Sequence, residues 1–127
     1  MNDNKVAIVT GSARGIGKGC AISLAKAGFN IVVHDYIDEA SVKATAETVK
    51  EIEALGVKAV GVNIDIANIA EHKKLFESAL DNFGRLDCLV SNAGVSVKNR
   101  GDILDVEEDS FDRCISVNTK APFFLLQ

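Results

Sequence analysis

The sequence predicts an α/β fold, a doubly wound parallel sheet with helices on both faces, carried by one domain over residues 1–127. Three observations predict it. A glycine-rich segment, Thr10-Gly11-Ser12-Ala13-Arg14-Gly15-Ile16-Gly17, separates a short apolar run from a helical pattern. Apolar runs of strand length then alternate with helical periodicity along the chain. Polar residues follow each predicted strand in chain order, at the strand ends where such sheets bind ligands.

The first element, Val6-Ala7-Ile8-Val9, is apolar throughout, as a strand covered on both faces must be. A helix follows from Ile16 to Gly28, with apolar positions at Ile16, Cys20 and Leu24 and again at Ala21 and Ala25. Asn30-Ile31-Val32-Val33-His34 is the second strand, closed by Asp35. Helical spacing of Val42, Val49, Ile52 and Leu55 marks residues 39–55, and Gly56 stops that helix. Residues 57–64 read as the third strand, ended by Asp65. Asn68 is placed to cap a helix over 69–83 whose inner face is Leu75, Phe76, Ala79 and Leu80, and Gly84 terminates it. Residues 86–90 form the fourth strand. A loop over 91–101 then precedes helical periodicity through Phe111, Ile115 and Asn118.

Glycines between a strand and a helix let the backbone turn tightly and admit a bulky group. The unpartnered N–H groups of the helix start favour negative charge there. The expected ligand is a phosphate or pyrophosphate, with Gly11, Gly15 and Gly17 around it and Ser12, Arg14 and Ile16 in the same loop. A nucleoside-triphosphate loop needs Gly-Lys-Ser/Thr, but Gly17-Lys18 is followed by Gly19. Asp35, eighteen residues beyond Gly17, favours a dinucleotide, because an acid at the end of the second strand accepts from the adenosine ribose. Tyr36 lies beside it. Asp65 reads either as a helix cap or as an acceptor for the adenine amino group, with Ile66 offering its backbone. Asn92 reads either as a loop residue locking its own turn or as part of the site. Ala93 and Gly94 are small enough for a ligand to approach their backbone.

Composition narrows the function classes. The net charge of −4 and the lack of a basic cluster argue against nucleic acid as the partner. No apolar run approaches membrane-spanning length, and no signal peptide precedes the first strand, so a cytoplasmic location is expected. Cys20, Cys88 and Cys114 are odd in number and embedded in apolar patterns, which fits reduced packing residues rather than disulfides or metal ligands.

Taken together, Thr10-Gly11-x-x-x-Gly15-x-Gly17, Asp65, Asn92-Ala93-Gly94 and Val117-Asn118 resemble the short-chain dehydrogenase/reductase family over the whole chain, with 3-oxoacyl-carrier-protein reductases the nearest flavour. The resemblance implies a Rossmann-type dinucleotide-binding unit and hydride transfer between a nicotinamide and a carbonyl or secondary alcohol. It further implies a homodimer or homotetramer for the full-length protein. The family's catalytic set is asparagine, serine, tyrosine and lysine, the last two as Tyr-x-x-x-Lys. Only Asn118 is matched, since the sole tyrosine, Tyr36, lies at the adenosine end and Ala40 stands where the lysine would be. The sheet has four predicted strands against about six in a complete one, so we read the chain as the N-terminal cofactor-binding half, truncated before the catalytic C-terminal half and inactive alone. By the same resemblance, Asn118 holds a water in the proton relay. Its carbonyl loses a helical partner at Pro122, which has no N–H; a bare proline kink is the alternative.

Asp35 repels a 2′-phosphate and Arg14 attracts one, and the carboxylate is weighted more heavily, giving NAD as the expected cofactor and NADP as the alternative. An enzyme and a non-catalytic dinucleotide-binding or sensor module both fit these residues. A methyltransferase would leave Asn92-Ala93-Gly94 and Val117-Asn118 unexplained. Residues 96–101 are placed to form one wall of a substrate pocket.

Overall fold

In a computed structural model, which describes residues 3–127, β1 (Val6–Val9) lies inside a four-stranded parallel sheet of order β3-β2-β1-β4. It pairs on one side with β2 (Asn30–Asp35), Val6 opposite Asn30 and Val9 opposite Val33. On the other side it pairs with β4 (Cys88–Val90). β3 (Ala59–Asn63) extends the sheet beyond β2. Chain order reverses between β1 and β4, and that reversal opens a crevice at the strands' carboxyl ends.

Side-chain alternation sorts the sheet's two faces. Val6, Ile8 and Val32 meet Leu75 and Ala79 of α3 (His72–Phe83), together with Val117, Ala121 and Leu125 further on. Ala7, Val9, Ile31 and Val33 meet Ala21 and Ala25 of α1 (Gly15–Lys26) and Ile52 of α2 (Glu39–Glu53). Every β1 side chain is fully buried, as a strand covered on both faces requires. After β4 come α4 (Glu108–Ile115), a π-helical turn (Ser116–Lys120) and α5 (Ala121–Leu126).

Several expectations from periodicity need correction. Ile16 is 81% exposed and Leu80 53%, so neither belongs to an inner face. In α1 the sheet-facing stripe is made of small residues, Gly17, Ala21 and Ala25, which bring the helix close. α2 departs further: it ends at Glu53, before the expected Leu55, which is exposed, and within it Val42 is exposed while Ser41, Thr45, Thr48 and Ile52 are buried. The polar side chains are accommodated because they are bonded: Thr48 donates to the Ala13 carbonyl at 2.8 Å and Thr45 to the Ser41 carbonyl at 2.8 Å. A single 3-10 turn, Ile69–Glu71, precedes α3, and Asn68 sits at its cap position without a side-chain cap bond.

Strands three and four are shorter than their apolar runs. The Asn30 side chain accepts from Lys58 N–H and holds the entry to β3. Asp87 uses its carboxylate to accept from Val6 N–H at 2.9 Å while Arg85 grips both carboxylate oxygens. That grip holds the Asp87 carboxyl below the usual carboxylate range. Among the described residues no helix is long and apolar enough to cross a membrane.

Candidate functional site

The segment from Thr10 to Gly17 leaves the end of β1 and enters α1, and its geometry is set from β2 and β4. Thr10 Oγ1 accepts from the N–H groups of Asn92 and Ala93, both at 3.0 Å. The Asn92 side chain donates back to the Thr10 and Gly11 carbonyls, each at 3.1 Å. Asn92 therefore locks the glycine loop to the segment after β4 rather than its own turn. A Cβ on Gly17 would lie 2.3 Å from the Gly11 carbonyl oxygen and 2.4 Å from Asn92 Nδ2. Only glycine fits there, and the space it frees is filled by the protein itself. Gly15, by contrast, has φ +63° and open space beside it, leaving backbone at the α1 N-terminus accessible.

Ser12 faces inward, donating to the Val9 carbonyl at 2.7 Å and accepting from His34 N–H at 3.2 Å. Its hydroxyl is thus spent inside the protein. Asp35 at the end of β2 accepts from Ala13 N–H at 3.2 Å and from Tyr36 N–H at 2.8 Å. Arg14 turns to α2, where its guanidinium donates to the Ser41 hydroxyl at 2.9 Å. Asp65 accepts from Ala67 N–H, which makes it a turn residue. It also accepts from Arg113 Nη1, 3.0 Å from each carboxylate oxygen. The same guanidinium lies 5.3 Å from the centre of the Tyr36 ring, within cation–π range.

These groups border one cavity of about 620 Å³ at the carboxyl ends of the strands, lined among others by Arg14, Asp35, Tyr36, Asp65, Ile66, Ala93 and Gly94. Asp38 and Ser41 from the α2 entry line the same space, as do Ser96 and Lys98 from the predicted wall segment. Lys98 pairs with Asp109 across its rim. Gly11, Ser12, Gly15, Ile16, Gly17 and Asn92 build the loop beside the cavity without lining it. Asn118 sits in the π turn and clasps Val95 twice, donating to its carbonyl and accepting from its N–H, both at 2.8 Å. Sequence reasoning gave no site role to His34 or Arg113 and quoted Thr10 only as the first residue of the glycine motif. His34 carried a signal of its own, as an imidazole following an apolar run next to Asp35.

Similarity to known proteins agrees with this geometry. Residues 5–127 match the family model described as short chain dehydrogenase. A hydroxynaphthalene reductase-like protein of Metarhizium guizhouense is 45% identical over 123 residues, covering 97% of this chain and 44% of that protein. The crystal structure of a 3-oxoacyl-[acyl-carrier protein] reductase from Brucella melitensis in complex with NAD superposes with a TM-score of 0.87 at 37% identity, over all of this chain and 48% of that one. A blue fluorescent protein from a metagenomic library in complex with NADPH gives 0.84 at 36% identity, over all of this chain and 51% of that one. The chain therefore spans about half the length of the relatives it matches. Matched by that family model over residues 5–127, the chain belongs to the short-chain dehydrogenase family.

Proposed function

We propose that residues 1–127 form the dinucleotide-binding unit of an NAD(P)-dependent oxidoreductase acting on a small-molecule carbonyl or secondary alcohol. The carrying observation is one cavity at the strand ends bordered by Asp35 at the end of β2 and by Arg14 at the start of α1, with the glycine loop beside it. The residues present fit such a cofactor. Gly15 and the first N–H groups of α1 would hold the pyrophosphate, and Asp35 would accept from the adenosine ribose. Ile66 and Asp65 would border the adenine, while Ala93 and Gly94 leave room for the chain toward the nicotinamide.

When bound, the nicotinamide supplies or accepts the hydride. This chain's own part is orientation and proton positioning. Asn118, fixed on Val95, holds the π turn against the segment after β4. The 118 carbonyl, four residues before Pro122, is available to hold a water of a proton relay. A 3-oxoacyl thioester is the substrate class favoured by the sequence resemblance, and a homodimer or homotetramer is the assembly we propose. The exposed Phe111, Ile115, Phe123 and Leu126 supply apolar surface for such contacts.

NAD is the preferred form in this reading. Asp38 lines the pocket beside Asp35, adding a second carboxylate, and Arg14 is engaged by Ser41. The test is the ratio of kcat/KM for NADH over NADPH in the complete protein and in Asp35→Ala. The wild type should favour NADH. The variant should shift toward NADPH by about tenfold or more, because the repulsion removed acts over a few ångströms. A wild type that strongly prefers NADPH overturns the NAD assignment.

A further inference from the structure

The dinucleotide reading assigns no role to His34, a buried polar side chain inside β2. His34 is 2% exposed, and four hydrogen bonds tie it to both sides of the cavity. Its N–H donates to Ser12 Oγ at 3.2 Å and its carbonyl accepts from Ser12 N–H at 2.8 Å. Its ring Nδ1 is 3.1 Å from Gly11 N–H, and its Nε2 is 3.1 Å from the Ile64 carbonyl. The amide of Gly11 can only donate, so Nδ1 must carry a lone pair. The carbonyl of Ile64 can only accept, so Nε2 must carry the proton. The two partners leave a single species, the neutral Nε2–H imidazole. Gly11 belongs to the loop assigned to pyrophosphate, and Ile64 opens the wall assigned to adenine.

We infer that His34 is a positioning residue that sets cofactor affinity by holding the glycine loop, through Gly11, in register with the adenine-side wall, through Ile64. The inference rests on the dinucleotide reading of the cavity. An aliphatic side chain at this position would leave a donor and an acceptor in the loop and wall unpaired. Protonating Nδ1 would set one N–H against another and release Gly11. Burial pushes the imidazole below its ordinary 6.5, against the opposing pull of the Ile64 carbonyl and the Asp35 carboxylate. The charged or titratable groups facing it are Asp35 from β2, Asp65 beyond β3, His72 from α3, Arg14 from the glycine loop and, paired with Asp65, Arg113 from α4.

The test is NADH binding to the complete protein between about pH 5.5 and 8, for wild type, His34→Asn and His34→Leu, with ¹⁵N NMR of the imidazole. Wild-type affinity should fall on the acid side as the ring protonates, and at pH 8 the spectrum should report the Nε2–H tautomer. Asparagine can place an oxygen near the Nδ1 position, keeps an acceptor for Gly11 and does not titrate. His34→Asn should therefore bind within a few-fold of wild type at pH 8 and lose the acid limb. His34→Leu should bind roughly tenfold more weakly throughout, the effect of one or two unpaired buried groups. If His34→Leu does not fold, the flat profile of His34→Asn decides. An acid limb unchanged in His34→Asn, wild-type affinity in His34→Leu, or an Nδ1–H tautomer overturns the inference while leaving the dinucleotide reading intact. A wild type that binds neither NADH nor NADPH at pH 8 overturns both.

Discussion

Gly15 and Gly17 look alike in the sequence but answer to different constraints. At Gly15 the constraint is conformational, with φ +63° and empty space beside the α carbon, so Gly15→Ala should cost about 1–2 kcal/mol. At Gly17 it is steric, and the obstacle is backbone and an Asn92 side chain that itself anchors the loop. Gly17→Ala should therefore displace Gly11 and Asn92 together, costing roughly 1–3 kcal/mol or more and weakening NADH binding in the same step. Urea melts and NADH titration of the two variants check the contrast. Equal losses in both would show that the Gly17 contact does not govern the loop. The spacing of the glycines is legible in the sequence; which of them touches protein and which faces open space is not, because that depends on Asn92, seventy-five residues beyond Gly17.

Element existence was readable from pattern, and element faces were less so. β1 and residues 31–33 at the centre of β2 are apolar and buried throughout, so pattern and structure agree. In α2 Val42 faces outward while Thr45 and Thr48 are buried beside Ile52, because Gly61 of β3 draws the helix so near that Thr45 Cγ2 lies 2.7 Å from where a Cβ would stand. Hydroxyl residues fit that narrow gap and find backbone acceptors in it. Thr48→Val keeps the shape but leaves the Ala13 carbonyl without its 2.8 Å donor, and should cost about 1–3 kcal/mol in chemical denaturation. A neutral result would mean that the carbonyl finds another partner. At the other side of the cavity, Arg113 joins α4 to Asp65 across 48 residues. The pair is about one-third exposed, so Arg113→Met should lower stability by no more than about 1 kcal/mol.

For the whole molecule, the register of polar residues at successive strand ends was the most informative sequence feature, because a parallel sheet forces those ends together. Asp35, Asp65, Ala93 and Gly94 all border one cavity as a result. His34 escaped that reasoning because its importance lies in bonds to Gly11 and Ile64, partners that only the tertiary structure supplies. It also sets a direction for acid sensitivity. The unfolded chain takes up a proton on His34 near 6.5, whereas the folded protein resists until a lower pH. This contribution to stability is complete above about 6.5 and is lost as pH falls below it. Denaturation midpoints of wild type and His34→Asn, measured at about pH 8 and 5.5, should diverge, with wild type losing more. The 127 residues expressed alone should show no nicotinamide-dependent turnover, since their one tyrosine, Tyr36, lies against Arg113 just after β2, on the side we propose for the adenosine, where it offers no proton to a forming alkoxide. Turnover by that fragment would place the proton donor within these residues.

The π turn at Ser116–Lys120 also fixes how this stretch of chain tolerates changes in length. An α-helix advances about 100° per residue, and a wide turn accommodates one residue beyond that rhythm. Val117 and, after the turn, Ala121 and Leu125 reach the sheet, while Asn118 between them is aimed sideways at Val95. Removing one residue there, such as Thr119, would let the turn tighten into regular helix while the residues after it keep nearly their present bearing, because the wide turn already absorbs the extra residue. Ala121 and Leu125 would stay on the core face, and the loss would fall on Asn118 and its two bonds to Val95. Adding a residue at Thr119, an exposed position, should instead roll α5 by about 100° and swing Ala121 and Leu125 off the core. The helix thus tolerates a change of length at this point in one direction only, a property encoded in the count of residues between Val117 and Ala121 and invisible to any comparison of residue types.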